Sequence, residues 1–165
     1  MVAVVIEYAA SRHAQSIAEL EAHAFTINAE QLEEVKRSRA RDPGVRLVAV
    51  AEQGVAGFVV GSWFVCAEAS NPSLVRRRLW INAVAVGTPF RRNGIGRRLM
   101  NALFERAEAR GAHGYALMVQ VENLAAIELY KSLGFKRSQL AQSAYGKGLH
   151  GLIMKRRVKQ LDGPG

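Results

Sequence analysis

Three observations in the amino-acid sequence predict a layered α/β (α+β) fold. Apolar β-branched runs alternate with segments of helical period, so strands and helices take turns along the chain. The 165 residues suit one domain of roughly 150 residues, and no repeat, linker or low-complexity block divides them. Hydrophobic residues make up 49% and charged residues 22%, which is enough apolar surface for a core and too little charge for a disordered chain.

Each element has its own local reason. Val2 to Ile6 is a short β-branched run and predicts a first strand. Ile17, Leu20, Ala24 and Phe25 recur at helical spacing between Arg12 and Phe25. A second helix carrying Leu32 and Val35 is expected to stop at Asp42-Pro43-Gly44. Val45 to Glu52 and Val55 to Val65 predict two strands joined by a hairpin turn at Gln53-Gly54. Ala67 to Arg78 contains Ser70-Asn71-Pro72-Ser73 and Arg76-Arg77-Arg78, and is expected to be a polar loop with a solvated charge run. Trp80 to Val86 predicts a buried strand. In Gly94 to Arg110, Ile95, Leu99, Leu103 and Ala107 form one helix face, reinforced by Met100 and Phe104, and Gly111 terminates it. Tyr115 to Val121 predicts a strand, Asn123 to Leu133 a helix with an Asn cap, and Leu152 to Lys155 a last strand.

Charge and cysteine content narrow the function. Lys and Arg number 23 against 14 Asp and Glu, a net charge of +9, which argues for anionic partners such as phosphates, nucleic acid or an acidic surface. The lone Cys66 cannot close an internal disulfide and points to a reducing compartment. With no C-x-x-C and four histidines, no metal site is expected. The N-terminus lacks a basic n-region, and the longest uncharged stretch, Gln53 to Ala67, falls short of the ~20 residues of a spanning helix. A cytoplasmic protein is expected. Cys66 itself is expected to be a buried small hydrophobe.

Chemistry concentrates in two segments. In Val84-Ala85-Val86-Gly87-Thr88-Pro89-Phe90-Arg91-Arg92-Asn93-Gly94-Ile95-Gly96-Arg97-Arg98, a strand ends and two glycines open a helix flanked by four arginines. Free N–H groups, half a positive charge and close backbone approach at glycine make this a candidate pyrophosphate cradle. A merely solvated helix start is the alternative. The dinucleotide fingerprint fails, since Leu99 stands where its third glycine belongs, and Gly146-Lys147 lacks the Ser or Thr of a P-loop. The second segment, Leu117 to Phe135, is a strand, an Asn turn and a helix ending in Leu133-Gly134-Phe135.

Together, Arg91-x-x-Gly94-x-Gly96 and Asn123-x-x-Ala126-x-x-Leu129-Tyr130-x-x-Leu133-Gly134-Phe135 resemble the two signature motifs of the GNAT acyltransferases. The pair covers roughly residues 80 to 135. Glu21-Ala22-His23-Ala24-Phe25, and Tyr145 followed by Leu152-Ile153-Met154, are similar to the N-terminal (alanine) acetyltransferases that modify ribosomal proteins. The resemblance implies a GNAT fold over residues 1–158, with 159–165 a frayed tail. That fold is a mixed, mostly antiparallel sheet flanked by helices, with splayed strands forming the acetyl-CoA cleft.

The resemblance also implies roles. Main-chain groups of Val84, Ala85 and Val86 would hold the pantetheine arm, while Arg91, Arg92, Asn93, Gly94, Ile95, Gly96 and Arg97 would wrap the pyrophosphate. Asn123 would anchor the arm and Tyr130 would be the general acid, although an ordinary N-cap and a core aromatic describe these two residues equally well. Relatives carry Glu or His as a base where this chain has Met118, so Glu122, placed by strand alternation on the face of Met118 and Gln120, is the fallback base. His150 is another. Glu30, Glu33 and Glu34 would form an acidic rim at the acceptor site.

The expected function is transfer of acetyl from acetyl-CoA to a primary amine, the α-amine of a protein N-terminus. The alternatives are a small-molecule amine acetyltransferase, or a non-catalytic basic binding protein for nucleic acid or acidic surfaces. Expected partners are acetyl-CoA and a peptide N-terminus or small amine. A homodimer is left open, and neither membrane nor nucleic acid is expected.

Overall fold

The computed structural model describes residues 1–24, 44–68 and 70–159. In chain order the elements are β1 (Val5–Tyr8), α1 (Ala14–Ala24), β2 (Val45–Ala51), β3 (Gly54–Glu68), β4 (Asn71–Val86), α2 (Ile95–Ala109), β5 (Gly114–Gln120), α3 (Leu124–Ser132), β6 (Lys136–Ala141) and β7 (Gly151–Arg157). The strands form one seven-stranded sheet in the order β1-β2-β3-β4-β5-β7-β6. Pairs β1/β2, β2/β3, β5/β7 and β6/β7 are antiparallel. β4 and β5 pair in parallel from Leu79↔Tyr115 to Ile81↔Leu117, because α2 lies between them in the chain and returns it to the same end.

Two compact units divide the chain, residues 1–62 with 82–107 and residues 63–81 with 108–165. In the first, Val48, Phe58, Val60, Ala83 and Ala85 form a core against which Ile17 and Leu20 of α1 pack. All six apolar residues read as one face of α2 are buried: Ile95, Leu99, Met100, Leu103, Phe104 and Ala107. Each large side chain there contributes about 1.5–3 kcal/mol relative to exposure. Two arginines along the edge of that buried face tie down the N-terminal segment: Arg98 Nη2 donates to the Val4 carbonyl at 2.8 Å and Arg106 Nη2 to that of Ile6 at 3.4 Å.

In the second unit β5 is the buried centre, with Tyr115, Ala116, Leu117 and Val119 all inaccessible. The Tyr115 hydroxyl donates to Glu108 Oε1 at 3.0 Å. α3 buries Ile127 and Tyr130.

Four expectations are corrected. The polar loop from Ala67 to Arg78 is not a loop: β3 runs on to Glu68 and β4 begins at Asn71. Its arginines are held. Arg76 Nε pairs with Glu68 at 3.1 Å, and the Arg77 guanidinium lies 3.8 Å from the centre of the Trp63 ring. Their stems cover apolar surface while the charges stay wet, so a polar composition hides a strand. Cys66 is half-exposed rather than buried. β6 goes unanticipated, because Lys136 to Leu140 are all exposed and carry no apolar alternation. Finally, β5 ends at Gln120, so alternation cannot place Glu122 on the face of Met118. The helix with Leu32 and Val35, and the Glu30, Glu33 and Glu34 rim, lie outside the described residues.

Candidate active site

Two groups of residues, one in each unit, carry the candidate chemistry. In the first unit β4 ends at Val86, and a turn through Thr88–Phe90 leads into α2. Arg91 Nε donates to the Val86 carbonyl at 3.2 Å, and Asn93 Nδ2 donates to the carbonyls of Phe90 and Arg91 at 3.3 and 3.0 Å. Asn93 therefore braces the turn with its side chain. Arg92 at φ 64° and Gly94 at φ 71° both take the left-handed conformation, which turns successive amides toward one side, as in anion-binding nests. The first helical bond, Arg98 N–H to the Gly94 carbonyl at 3.0 Å, opens α2 just beyond.

Arg91, Arg92, Gly94 and Arg97 are exposed, Gly96 is half-buried, and Ile95 is buried beneath them. A Cβ added at Gly94 would meet no protein atom within 4 Å, so the space there is open to a ligand. This is the geometry an anionic diphosphate fits. Of the four flanking arginines Arg98 is committed to Val4. Replacing Gly94 by Val is expected to weaken CoA binding roughly 10- to 100-fold. The branched side chain fills that open space and is strained at positive φ, and a lost charge-assisted contact costs about 1.5–3 kcal/mol. Calorimetry showing unchanged CoA affinity for a folded Gly94→Val variant would remove the turn from the site.

In the second unit Asn123 caps α3, its Oδ1 accepting the Ala126 N–H at 3.2 Å. The side-chain amide nitrogen points away from that bond, so the cap and a role toward a ligand are compatible. Tyr130 is 8% exposed, with its ring edge-on to Phe135 at 6.0 Å. Its hydroxyl makes no hydrogen bond to a described residue. Burial, reinforced by the neighbouring Tyr145 phenol, pushes the pKa of Tyr130 up to about 12.

Tyr145 is the residue whose place the sequence left unassigned. Its hydroxyl donates to the Met118 carbonyl at 3.2 Å. That bond ties the β6–β7 loop to β5.

The structure also weighs the candidate bases. Met118 lies flat against Gly151: a Cβ there would stand 2.7 Å from its Sδ. His150 Nδ1 accepts the Ser143 N–H at 3.1 Å. In the neutral imidazole the other nitrogen then carries the proton, so the acceptor position is already used. Glu122 is exposed in the turn after β5. Of the three, Met118 has no basic atom, His150 has its acceptor nitrogen engaged and Glu122 is exposed in the turn.

The raised Tyr130 pKa also predicts an alkaline weakness. Below pH 10 the phenol is protonated in both folded and unfolded chains, so its contribution is constant. Between pH 10 and about 12 the unfolded chain ionises first, and stability falls with rising pH. The two-unit difference corresponds to about 3 kcal/mol. Urea unfolding from pH 9 to 12 is expected to show a shallower decline for Tyr130→Phe than for the parent. Identical declines would mean that Tyr130 is solvated.

The GNAT acetyltransferase family model matches residues 14–135. The chain belongs to the GNAT acetyltransferase family. A [ribosomal protein bS18]-alanine N-acetyltransferase of Salmonella typhimurium is 40% identical over 62 residues, 38% of this chain and 42% of that protein. The matched segment thus spans less than half of that relative. The crystal structure of the ribosomal-protein-S18-alanine N-acetyltransferase from Escherichia coli superposes with a TM-score of 0.74 at 22% identity, over 94% of both chains. Naa20 of Chaetomium thermophilum in complex with a bisubstrate analogue gives 0.77 at 25% identity, over 94% of this chain and 87% of that one. These superpositions establish the GNAT fold. No described helix is long and apolar enough to cross a membrane.

Proposed function

We propose that this chain transfers the acetyl group of acetyl-CoA to the α-amine of a protein N-terminus. The observation that carries the choice of acceptor is the missing base: Met118 offers only a thioether, His150 has spent its acceptor nitrogen, and Glu122 stands exposed beyond the strand end. An α-amine is partly neutral at pH 7 and needs little help to become a nucleophile, whereas a lysine needs a held base. The names of the Salmonella typhimurium and Escherichia coli proteins support the same acceptor class.

Acetyl-CoA, when bound, supplies an activated thioester carbonyl. The left-handed turn at Arg92 and Gly94 fits its diphosphate, with Arg91, Arg92, Asn93, Gly94, Ile95, Gly96 and Arg97 presenting N–H groups and cations to it. Main-chain groups of Val84, Ala85 and Val86 serve the pantetheine arm, and the Asn123 amide anchors it. Tyr130 holds its proton at neutral pH and gives it from Oη to the departing thiolate. Water, or Glu122 through water, accepts the proton of the amine.

Mass spectrometry of peptides incubated with acetyl-CoA tests this reading. Acetylation at the free N-terminus of a peptide with a blocked lysine supports it; transfer to small polyamines alone would refute it.

A further inference from the structure

Gly57 lies in the interior of β3, buried between Ala56 and Phe58, which are themselves inaccessible to solvent. A glycine there weakens the strand, since it has no side chain to pack and more backbone freedom to lose. What it provides is space. A Cβ at position 57 would stand 2.7 Å from the carbonyl oxygen of Ala85 in β4. It would also stand 3.2 Å from Leu99 Cδ1 of α2 and 3.3 Å from Val86 Cγ2. All four residues belong to the first compact unit.

These three contacts are not equivalent. Nonbonded carbon settles at about 3.5–4.0 Å from its neighbours, so each of them would be crowded. Leu99 Cδ1 and Val86 Cγ2 are side-chain ends, which yield by a few tenths of an ångström. The Ala85 carbonyl is part of a planar peptide and moves only when β4 itself moves.

Local hydrogen bonding holds β4 this close. Ala49 of β2 pairs with Gly57, but Val50 pairs with Val55, so Ala56 is an extra residue that bulges from the β2–β3 ladder. The Ala56 carbonyl accepts the Gly87 N–H at 2.9 Å, just past the end of β4 at Val86. That bond fastens the last residues of β4 beside Gly57. A bulge and a bare position together are how a strand lets a neighbouring backbone approach.

Ala85 and Val86 are two of the three residues whose main-chain groups serve the pantetheine arm in the proposed reaction. We propose that Gly57 is a positioning residue for acetyl-CoA: carrying no side chain, it lets the Ala85–Val86 backbone lie where it meets that arm. This rests on the reading that Val84, Ala85 and Val86 hold the arm. The diphosphate turn is a separate support. Asn93 braces it through the carbonyls of Phe90 and Arg91, and the exposed Arg91 side chain follows the Val86 carbonyl to which it donates. A methyl group at position 57 therefore disturbs the hold on the arm and spares the hold on the diphosphate.

The test is Gly57→Ala, read by calorimetry with CoA and with phospho-ADP, the nucleotide of CoA without its arm. CoA affinity is expected to fall about tenfold, the upper range for one main-chain hydrogen bond, while phospho-ADP binds as it does to the parent. KM for acetyl-CoA is expected to rise by the same factor and KM for the acceptor peptide to stay unchanged. Gly54→Ala is the control in the same strand. At φ 115° a side chain is strained, yet nothing lies within 4 Å of its Cβ, so Tm falls and CoA affinity holds. If Gly57→Ala does not fold, the same measurements are made with Leu99→Val added, which removes the Cδ1 contact and leaves the one to Ala85. A folded variant with the parent's CoA affinity, a loss shared equally by phospho-ADP, or an equal loss in Gly54→Ala would each overturn the role of Gly57. A parent that binds CoA no more tightly than phospho-ADP would overturn the arm assignment as well.

Discussion

Tyr130→Phe is expected to lower kcat by about 10²- to 10⁴-fold while leaving CoA affinity unchanged. The substitution keeps the aromatic ring, and with it the edge-on contact to Phe135 at 6.0 Å, so packing of α3 is preserved. What it deletes is one proton. A thiol has a pKa near 8.5, so the leaving group departs as a thiolate that benefits from protonation. A phenol pushed up to about 12 by burial and by Tyr145 is fully protonated at any pH at which the enzyme works. It is always loaded, and a donor held against the departing sulfur can pass its proton as the C–S bond breaks. Stopped-flow or steady-state assays with saturating acetyl-CoA give kcat directly. Full kcat in the Phe variant would reduce Tyr130 to a packing residue.

A peptide with a free N-terminus and blocked lysine is expected to be acetylated a few hundredfold faster at pH 7 than its converse. The α-amine, with a pKa of about 7.7–8.0, is roughly a tenth neutral at that pH, and lysine, near 10.4, less than one part in a thousand. A held base would level the two. Here Met118 packs its thioether on Gly151 and His150 is turned to Ser143, so the intrinsic basicity of the acceptor decides. For the same reason the rate with the N-terminal peptide is expected to rise with pH through a midpoint near 8 and level off above about 9, as the amine becomes neutral. A lysine peptide that reacts faster at pH 7 would overturn both the acceptor assignment and the argument from Met118.

The sequence by itself determined the parts whose cause is local. The six buried residues of α2 repeat at helical spacing, Asn123 caps α3 because its short side chain reaches the Ala126 N–H, and Gln53-Gly54 announces a hairpin whose loop is in fact Glu52-Gln53, one residue earlier, with Gly54 already paired to Ala51. The turn proposed for the diphosphate was a local reading of the same kind, since glycines and arginines at a helix start act through neighbouring backbone. Register and partner choice were decided only by the tertiary structure. Arg76 and Arg77 sit in a strand because Glu68 and Trp63 wait across from them. Lys136 to Leu140 become β6 because β7 supplies backbone partners for a segment whose side chains give no pattern. Glu122 drops off the face of Met118 because β5 ends at Gln120. Tyr145 reaches the Met118 carbonyl, and Arg78 reaches Gly114, across long stretches of chain. Such contacts depend on which strands lie side by side, and a side chain's own neighbours in sequence carry no record of that.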